Sequence, residues 1–246
     1  MSTIADNISQ VSARIAAAVR QAQREPGQVG LLAVSKTKPA AAMREAFAAG
    51  IRDFGENYLQ EALGKQLELA DLPLIWHFIG PIQSNKTRAI AEHFDWVHSV
   101  DRLKIAQRLS EQRPAALGPL NICIQVNVSG EASKSGCDPD DVDTLASAIA
   151  ALPNLRLRGL MAIPEPTDDI ALQNAAFARV RALQHDLPMP LDTLSMGMSH
   201  DLEAAIAQGA TWVRIGTALF GARNYGQDTS PAHTAVASSP LSKDPS

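Results

Sequence analysis

One lysine in this 246-residue chain occupies a place where lysines do chemistry. Residues 29–34 are almost wholly apolar, as a strand covered on both faces should be, and Ser35-Lys36-Thr37-Lys38-Pro39 follows them. Lys36 therefore lies at the C-terminal edge of a buried strand, with Pro39 where a helix can begin. In parallel α/β folds that edge carries function. A lysine there can anchor a phosphate, shuttle a proton or form a Schiff base. Two other stretches suit an anion. Ser195-Met196-Gly197-Met198-Ser199 places hydroxyls and flexible backbone just before a helix expected near His200, where free N–H groups and the helix dipole favour a phosphate. Arg214-Ile215-Gly216-Thr217 offers the same after another apolar run. Each has a plainer reading: serine and glycine before a helix can simply cap it, Arg214 can pair with a carboxylate such as Glu56, and Asn57 can cap the helix that follows it.

Other chemistries find little support. Ser199-His200-Asp201 holds triad residue types, but consecutive residues do not face one another in triad geometry, and the G-x-S-x-G flank is missing. The six histidines form no H-E-x-x-H pair and there is no C-x-x-C, so no metal site is expected. No G-x-x-x-x-G-K-[ST] loop marks an NTPase.

The elements that must position these residues repeat along the chain. Apolar runs at 29–34, 51–54, 74–79, 94–100, 121–128, 155–163, 191–195 and 211–215 read as strands. Helical patterns follow at 40–49, 58–69, 85–93, 101–109 with Asp101 as N-cap, 140–151, 171–187 and 200–208. Ile4, Ile8, Val11, Ile15 and Val19 put one apolar stripe on an additional helix in front. Strands alternating with helices imply a parallel sheet, and eight such units predict a closed (β/α)8 TIM barrel with an extra N-terminal helix. An open doubly wound sheet should carry a G-x-G-x-x-G turn after its first strand, and Ser35 to Pro39 holds no glycine. In a barrel, Lys36 on the first strand and a cradle after the seventh and eighth would be neighbours across the closing seam. Trp76, Trp96 and Trp212 sit in or beside strands and are expected in the core.

Hydrophobic residues, 46% of the chain, run through it without a linker, which predicts one domain over residues 1–226. The polar tail 227–246 is too poor in large apolar residues to offset its ordering entropy and is expected to be disordered. A net charge of −4 with interspersed signs gives no basic stripe for nucleic acid or anionic membrane. Cys123 and Cys137 are unpatterned and read as reduced thiols. With no signal peptide and no apolar run of about 18 residues, a cytoplasmic protein is expected.

The motifs Ala33-Val34-Ser35-Lys36-Thr37, Phe54-Gly55-Glu56-Asn57-Tyr58, residues 77–86 from His77 to Lys86, Leu194-Ser195-Met196-Gly197-Met198-Ser199 and Arg214-Ile215-Gly216-Thr217 resemble those of the pyridoxal phosphate homeostasis proteins, relatives of the alanine racemase barrel domain. The resemblance spans about residues 5–225. It implies a barrel that holds pyridoxal 5′-phosphate as an imine on Lys36, with the phosphate among Ser195, Met196, Gly197, Ser199, Gly216 and Thr217, Asn57 nearby, and Arg214 at the pyridine nitrogen. It implies a carrier or buffer of the cofactor in vitamin B6 homeostasis, a monomer without turnover of its own that meets pyridoxal phosphate-dependent apoenzymes transiently. Imine formation needs a neutral amine, so Lys36, desolvated near Lys38 and Arg214, should have a lowered pKa. Arginine only donates and stays protonated, so Arg214 would leave the ring nitrogen unprotonated and the cofactor a weak electron sink. A minimal amino-acid racemase is the alternative. It needs a second acid/base, which the resembling racemases take as a tyrosine with the help of a further β-rich domain; the tyrosines here are Tyr58 and Tyr225. Should Lys36 not carry the cofactor, Lys38 and Lys134 are the next candidates.

Overall fold

The computed structural model describes residues 2–130 and 135–221. The expected tail 227–246, Tyr225 and Lys134 lie outside the described residues. Chain order is α1 (Ile4–Gln21), β1 (Gly30–Val34), α2 (Ala40–Ala48), β2 (Asp53–Glu56), α3 (Leu59–Glu68), β3 (Ile75–Phe78), α4 (Thr87–His93), β4 (Trp96–Val100) and α5 (Leu103–Gln112). It continues with β5 (Leu120–Val126), α6 (Val142–Ala150), β6 (Leu155–Ala162), α7 (Ile170–His185), β7 (Thr193–Ser195), α8 (Leu202–Ala207), β8 (Trp212–Ile215) and α9 (Thr217–Phe220). All eight strands are parallel and close into a barrel in sequence order. The seam joins β1 to β8 over four residue pairs, from Gly30 opposite Trp212 to Ala33 opposite Ile215. This is the expected (β/α)8 TIM barrel with an N-terminal helix.

Helix α1 begins where Thr3 and Asp6 form a capping box: the Thr3 hydroxyl accepts the Asp6 N–H, and the Asp6 carboxylate accepts the Thr3 N–H. Its stripe of Ile8, Val11, Ile15 and Val19 is buried, and the helix packs against α2, α8 and α9 on the flank of the β1–β8 seam. Asn7 ties it to the end of α9 through Nδ2 to the Leu219 carbonyl, 2.9 Å.

Apolar burial divides into two unequal parts. The large cluster lies between the strands and the helices and includes Phe54, Ile90, Phe94, Ile105, Ile122, Phe177 and Leu202. Inside the barrel the apolar cluster is Trp96, Cys123 and Met161, and much of the remaining filling is polar. Trp76 and Trp96 are buried, whereas Trp212 is half-buried. His77 stacks on Trp96 at 5.6 Å between ring centroids and meets the edge of Trp212 at 5.3 Å.

Four local expectations are corrected. Strand β2 lies two residues later than its apolar run, because Gly55 pairs with His77 and Glu56 with Phe78 along β3. Asp101 does not cap α5; Arg102 occupies the N-cap and makes no side-chain capping bond. Helix α8 starts at Leu202 rather than His200, since Asp201 accepts the Met198 N–H at 2.6 Å and holds residues 198–201 in a turn. Cys137, expected in a polar loop, is buried and bridges to Val126.

Among the described residues no helix is long and apolar enough to cross a membrane. Both cysteines are free and buried, and burial pushes each thiol up to about 12.

Candidate functional site

Lys36 leaves the end of β1 in a turn clamped from two sides. The Ser35 N–H donates to the Gly55 carbonyl at 3.0 Å, extending the β1–β2 pairing by one residue. Thr37 adopts a left-handed φ of 63°, uncommon for a threonine, and its N–H donates to the Glu61 carboxylate at 2.6 Å. Glu61 is in turn held by Lys65, one helical turn further along α3. The buried Lys65 Nζ also donates to Glu56 Oε1 at 2.7 Å and to the Ser35 carbonyl at 2.8 Å. The Ser35 hydroxyl donates to the same Glu56 oxygen at 2.6 Å. Burial raises the Glu56 pKa above the usual carboxylate range, and Lys65 opposes that shift. On the other side Lys38 Nζ donates to the carbonyls of Phe220 and Gly221, at 3.1 and 3.0 Å, at the end of α9.

Between the clamps, a small cavity at the β1–β8 seam is lined by Val34, Lys36, Lys38, Gly216, Thr217 and Gly221. Three predicted residues, Lys36, Gly216 and Thr217, thus meet in one place. Gly216 precedes α9, and a Cβ there would lie 3.1 Å from the Val34 carbonyl, so a side chain would crowd β1. The first N–H groups of α9 have no intrahelical acceptor. Phosphate-binding sites recur after strands seven and eight of this fold.

The loop after β7 contributes differently. Met196 is buried and its N–H donates to the Trp212 carbonyl at 3.1 Å. Gly197, at a φ of 93°, accepts the Arg214 N–H at 2.9 Å, which fixes the loop against β8. The Ser199 carbonyl accepts from Arg14 of α1 at 3.3 Å. Ser195 is fully buried, and its hydroxyl oxygen lies 2.8 Å from His98 Nδ1 and 2.9 Å from Arg214 Nη1. Its side chain therefore points into the barrel.

Arg214 does not pair with Glu56. Its Nη1 donates to the Ser195 carbonyl and hydroxyl, and its Nη2 to the Ala162 carbonyl at 2.9 Å. Burial pulls the guanidinium down to about 10, and Asp201 opposes that, so Arg214 stays protonated at neutral pH. Nor does Asn57 cap α3: Tyr58 is the N-cap residue, without a side-chain capping bond, and Asn57 Oδ1 is buried with no hydrogen-bond partner among the described residues. Tyr58 is exposed.

Sequence reasoning missed Lys65, Glu61, His77 and His98. The first two carry a signal, an i,i+4 acid–base pair on α3. The histidines carry a weaker one. Trp96 and His98 alternate on β4, and Gly55 and His77 pair across β2 and β3, which puts the inward face on a period of two.

The alanine racemase N-terminal domain matches this chain over residues 7–224. The pyridoxal phosphate homeostasis protein of Pseudomonas aeruginosa is 77% identical over 230 residues, 94% of this chain and 100% of that protein. The chain belongs to the pyridoxal phosphate homeostasis protein family. A second member of the family, from Escherichia coli, is 55% identical over 235 residues, with 92% of this chain and 99% of that one covered. The structure of PipY from Synechococcus elongatus with PLP bound superposes with a TM-score of 0.78 at 42% identity, over 89% of this chain and 100% of that one. Among the described residues no group of three or more His, Cys, Asp or Glu side chains is placed to hold a metal ion.

Proposed function

We propose that this chain binds pyridoxal 5′-phosphate as a Schiff base on Lys36 and carries or buffers it for vitamin B6 homeostasis, without turnover of its own. The observation that carries the reading is the seam cavity, which joins the amine of β1 to the backbone of Gly216 and Thr217. The residues suit the group in two further respects. Asn57 Oδ1 is a buried acceptor that lacks a donor, and Gly216 lets the backbone after β8 approach closely where a side chain would crowd it. Relatives named for pyridoxal phosphate homeostasis and a PipY structure with PLP bound support the same reading.

Within it, Gly216 and Thr217 bind the phosphate together with backbone N–H groups of Gly197 and Ser199, the Met196 N–H being committed to the Trp212 carbonyl. Arg214, protonated and buried, faces the pyridine nitrogen as a donor. When bound, the cofactor supplies an aldehyde carbon for the lysine and an electron-withdrawing ring. An arginine at that nitrogen weakens the withdrawal, which suits storage better than carbanion chemistry. Lys65, Glu61 and Lys38 hold the turn that presents Lys36. The reading includes a cytoplasmic monomer that delivers the cofactor by transient contact with apoenzymes.

The test is absorbance of the full chain loaded with pyridoxal 5′-phosphate, before and after borohydride, with mass mapping of the labelled lysine. Label on Lys36 and loss of the band in Lys36→Ala are expected; an equal band in that variant moves the attachment to Lys38 or Lys134. Loaded protein is also incubated with single-enantiomer alanine and serine, and loss of optical purity at enzyme-like rates would replace the carrier with a racemase.

A further inference from the structure

Five buried or half-buried polar side chains form one unbroken hydrogen-bonded line through the barrel. Asp53 Oδ1, at the start of β2, lies 2.9 Å from His77 Nε2 on β3. His77 Nδ1 lies 2.9 Å from His98 Nε2 on β4, and His98 Nδ1 lies 2.8 Å from the Ser195 hydroxyl at the end of β7. Arg214 on β8 donates to that hydroxyl at 2.9 Å. The line runs from a half-exposed carboxylate to the fully enclosed guanidinium.

The proton positions follow from what each group can do. An ionised carboxylate only accepts, so His77 carries its proton on Nε2 and presents Nδ1 as an acceptor. His98 must then donate from Nε2, which leaves its own Nδ1 to accept the Ser195 proton. The Ser195 oxygen keeps its lone pairs for Arg214. Every donor meets an acceptor once, and every proton points from the guanidinium toward the carboxylate. Both rings are fully buried, and burial holds both below the usual imidazole range, which keeps each neutral with one N–H.

We propose that His77 and His98 are positioning residues for the cofactor site: through a fixed proton order they commit the Ser195 hydroxyl to the barrel interior and thereby set the orientation of Arg214 toward the pyridine nitrogen. This rests on the reading of Arg214 given above. It also reassigns Ser195, whose hydroxyl serves Arg214 rather than the phosphate. Reversing the line would require Asp53 to donate a proton or His77 to carry two.

The proton order is read first on the unloaded full-length protein, labelled with 15N-histidine, by side-chain nitrogen NMR at neutral pH. His77 and His98 are expected as neutral Nε2–H tautomers. An Nδ1–H tautomer or an imidazolium at either position overturns the order whether or not the protein binds the cofactor. The positioning role is read on protein loaded with pyridoxal 5′-phosphate. In His98→Leu and in Ser195→Ala the absorbance maximum is expected to shift while Lys36 is still labelled to the wild-type extent. His98→Asn, which can restore an acceptor near the Nδ1 position, is expected to bring the maximum back. Unshifted maxima in Ser195→Ala and in folded His98→Leu overturn the role, and if His98→Leu does not fold, Ser195→Ala decides. A wild-type protein that takes up no cofactor defeats the carrier reading and leaves the NMR result to decide the proton order.

Discussion

The shell between barrel and helices and the interior of the barrel are built on opposite principles. In the shell, Phe54, Ile90, Phe94, Ile105 and Phe177 are fully or almost fully buried among other apolar side chains, and each methylene there contributes roughly 0.8 kcal/mol of transfer free energy. Inside, Trp96, Cys123, Met161 and the edge of Trp212 share the space with Asp53, His77, His98, Ser195 and Arg214, polar groups that must be hydrogen-bonded to be tolerated. The shell is non-directional and forgiving in detail. The interior is directional, and the loss of one member strands its neighbours. Stability resides in the first and orientation in the second.

That contrast can be broken most forcefully in the shell. Phe177→Ala on α7 should lower unfolding free energy by about 3–5 kcal/mol in urea titration, yet leave the absorbance maximum of cofactor-loaded protein where it was. A spectral shift in that variant would mean that the two regions are mechanically coupled. Lys65→Met tests the boundary between them, since this lysine is buried like the shell but holds the turn of Lys36. Removing it leaves Glu56 buried without its cation, at a cost of about 3 kcal/mol, and should also slow borohydride-trapped labelling of Lys36. Normal labelling kinetics would reduce the cluster to a stabilising device.

A smaller effect sharpens the contrast from the interior. His77 and His98 have folded-state pKa values below 6.5, their ordinary value. Below about pH 6.5 the unfolded chain therefore binds protons that the folded one refuses. Their contribution is intact above that pH and is lost as pH falls toward the folded values, with a slope approaching about 1.4 kcal/mol per pH unit for each ring. Glu56 works the other way. Its raised pKa favours the folded state below about 4.5, the usual glutamate value, and that advantage fades as pH rises through the folded value. His77→Gln should flatten the acid limb of stability against pH by one ring's share, measured by urea unfolding from pH 7 to 5; an unchanged limb would mean that this ring titrates alike in the folded and unfolded chains.

Much of the fold was legible because continuous apolar runs mark strands buried on both faces. The runs at 29–34 and 211–215 match β1 and β8 to within one residue. Where reading failed, a tertiary partner had overridden a local signal. Glu56 looks like a loop residue until Lys65 neutralises it inside β2, and Asp101 looks like a cap. The candidate site was legible for Lys36, Gly216 and Thr217, since a closed barrel makes the ends of its first and last strands neighbours. It was not legible for Ser195, whose hydroxyl turns inward to His98 on a strand far away in sequence. Periodicity says which face a residue occupies; it does not say which inward side chains from non-adjacent strands touch.

The β1–β8 seam has a consequence for synthesis. Lys36 leaves the ribosome just after the first strand, but the backbone it faces across the cavity belongs to Gly216 and Thr217, which follow the last strand. A partly made chain has the amine without the cradle. On the proposed reading, capture of the cofactor by this geometry waits until the last strand has been made and has closed on the first, so that loading would report the completion of folding.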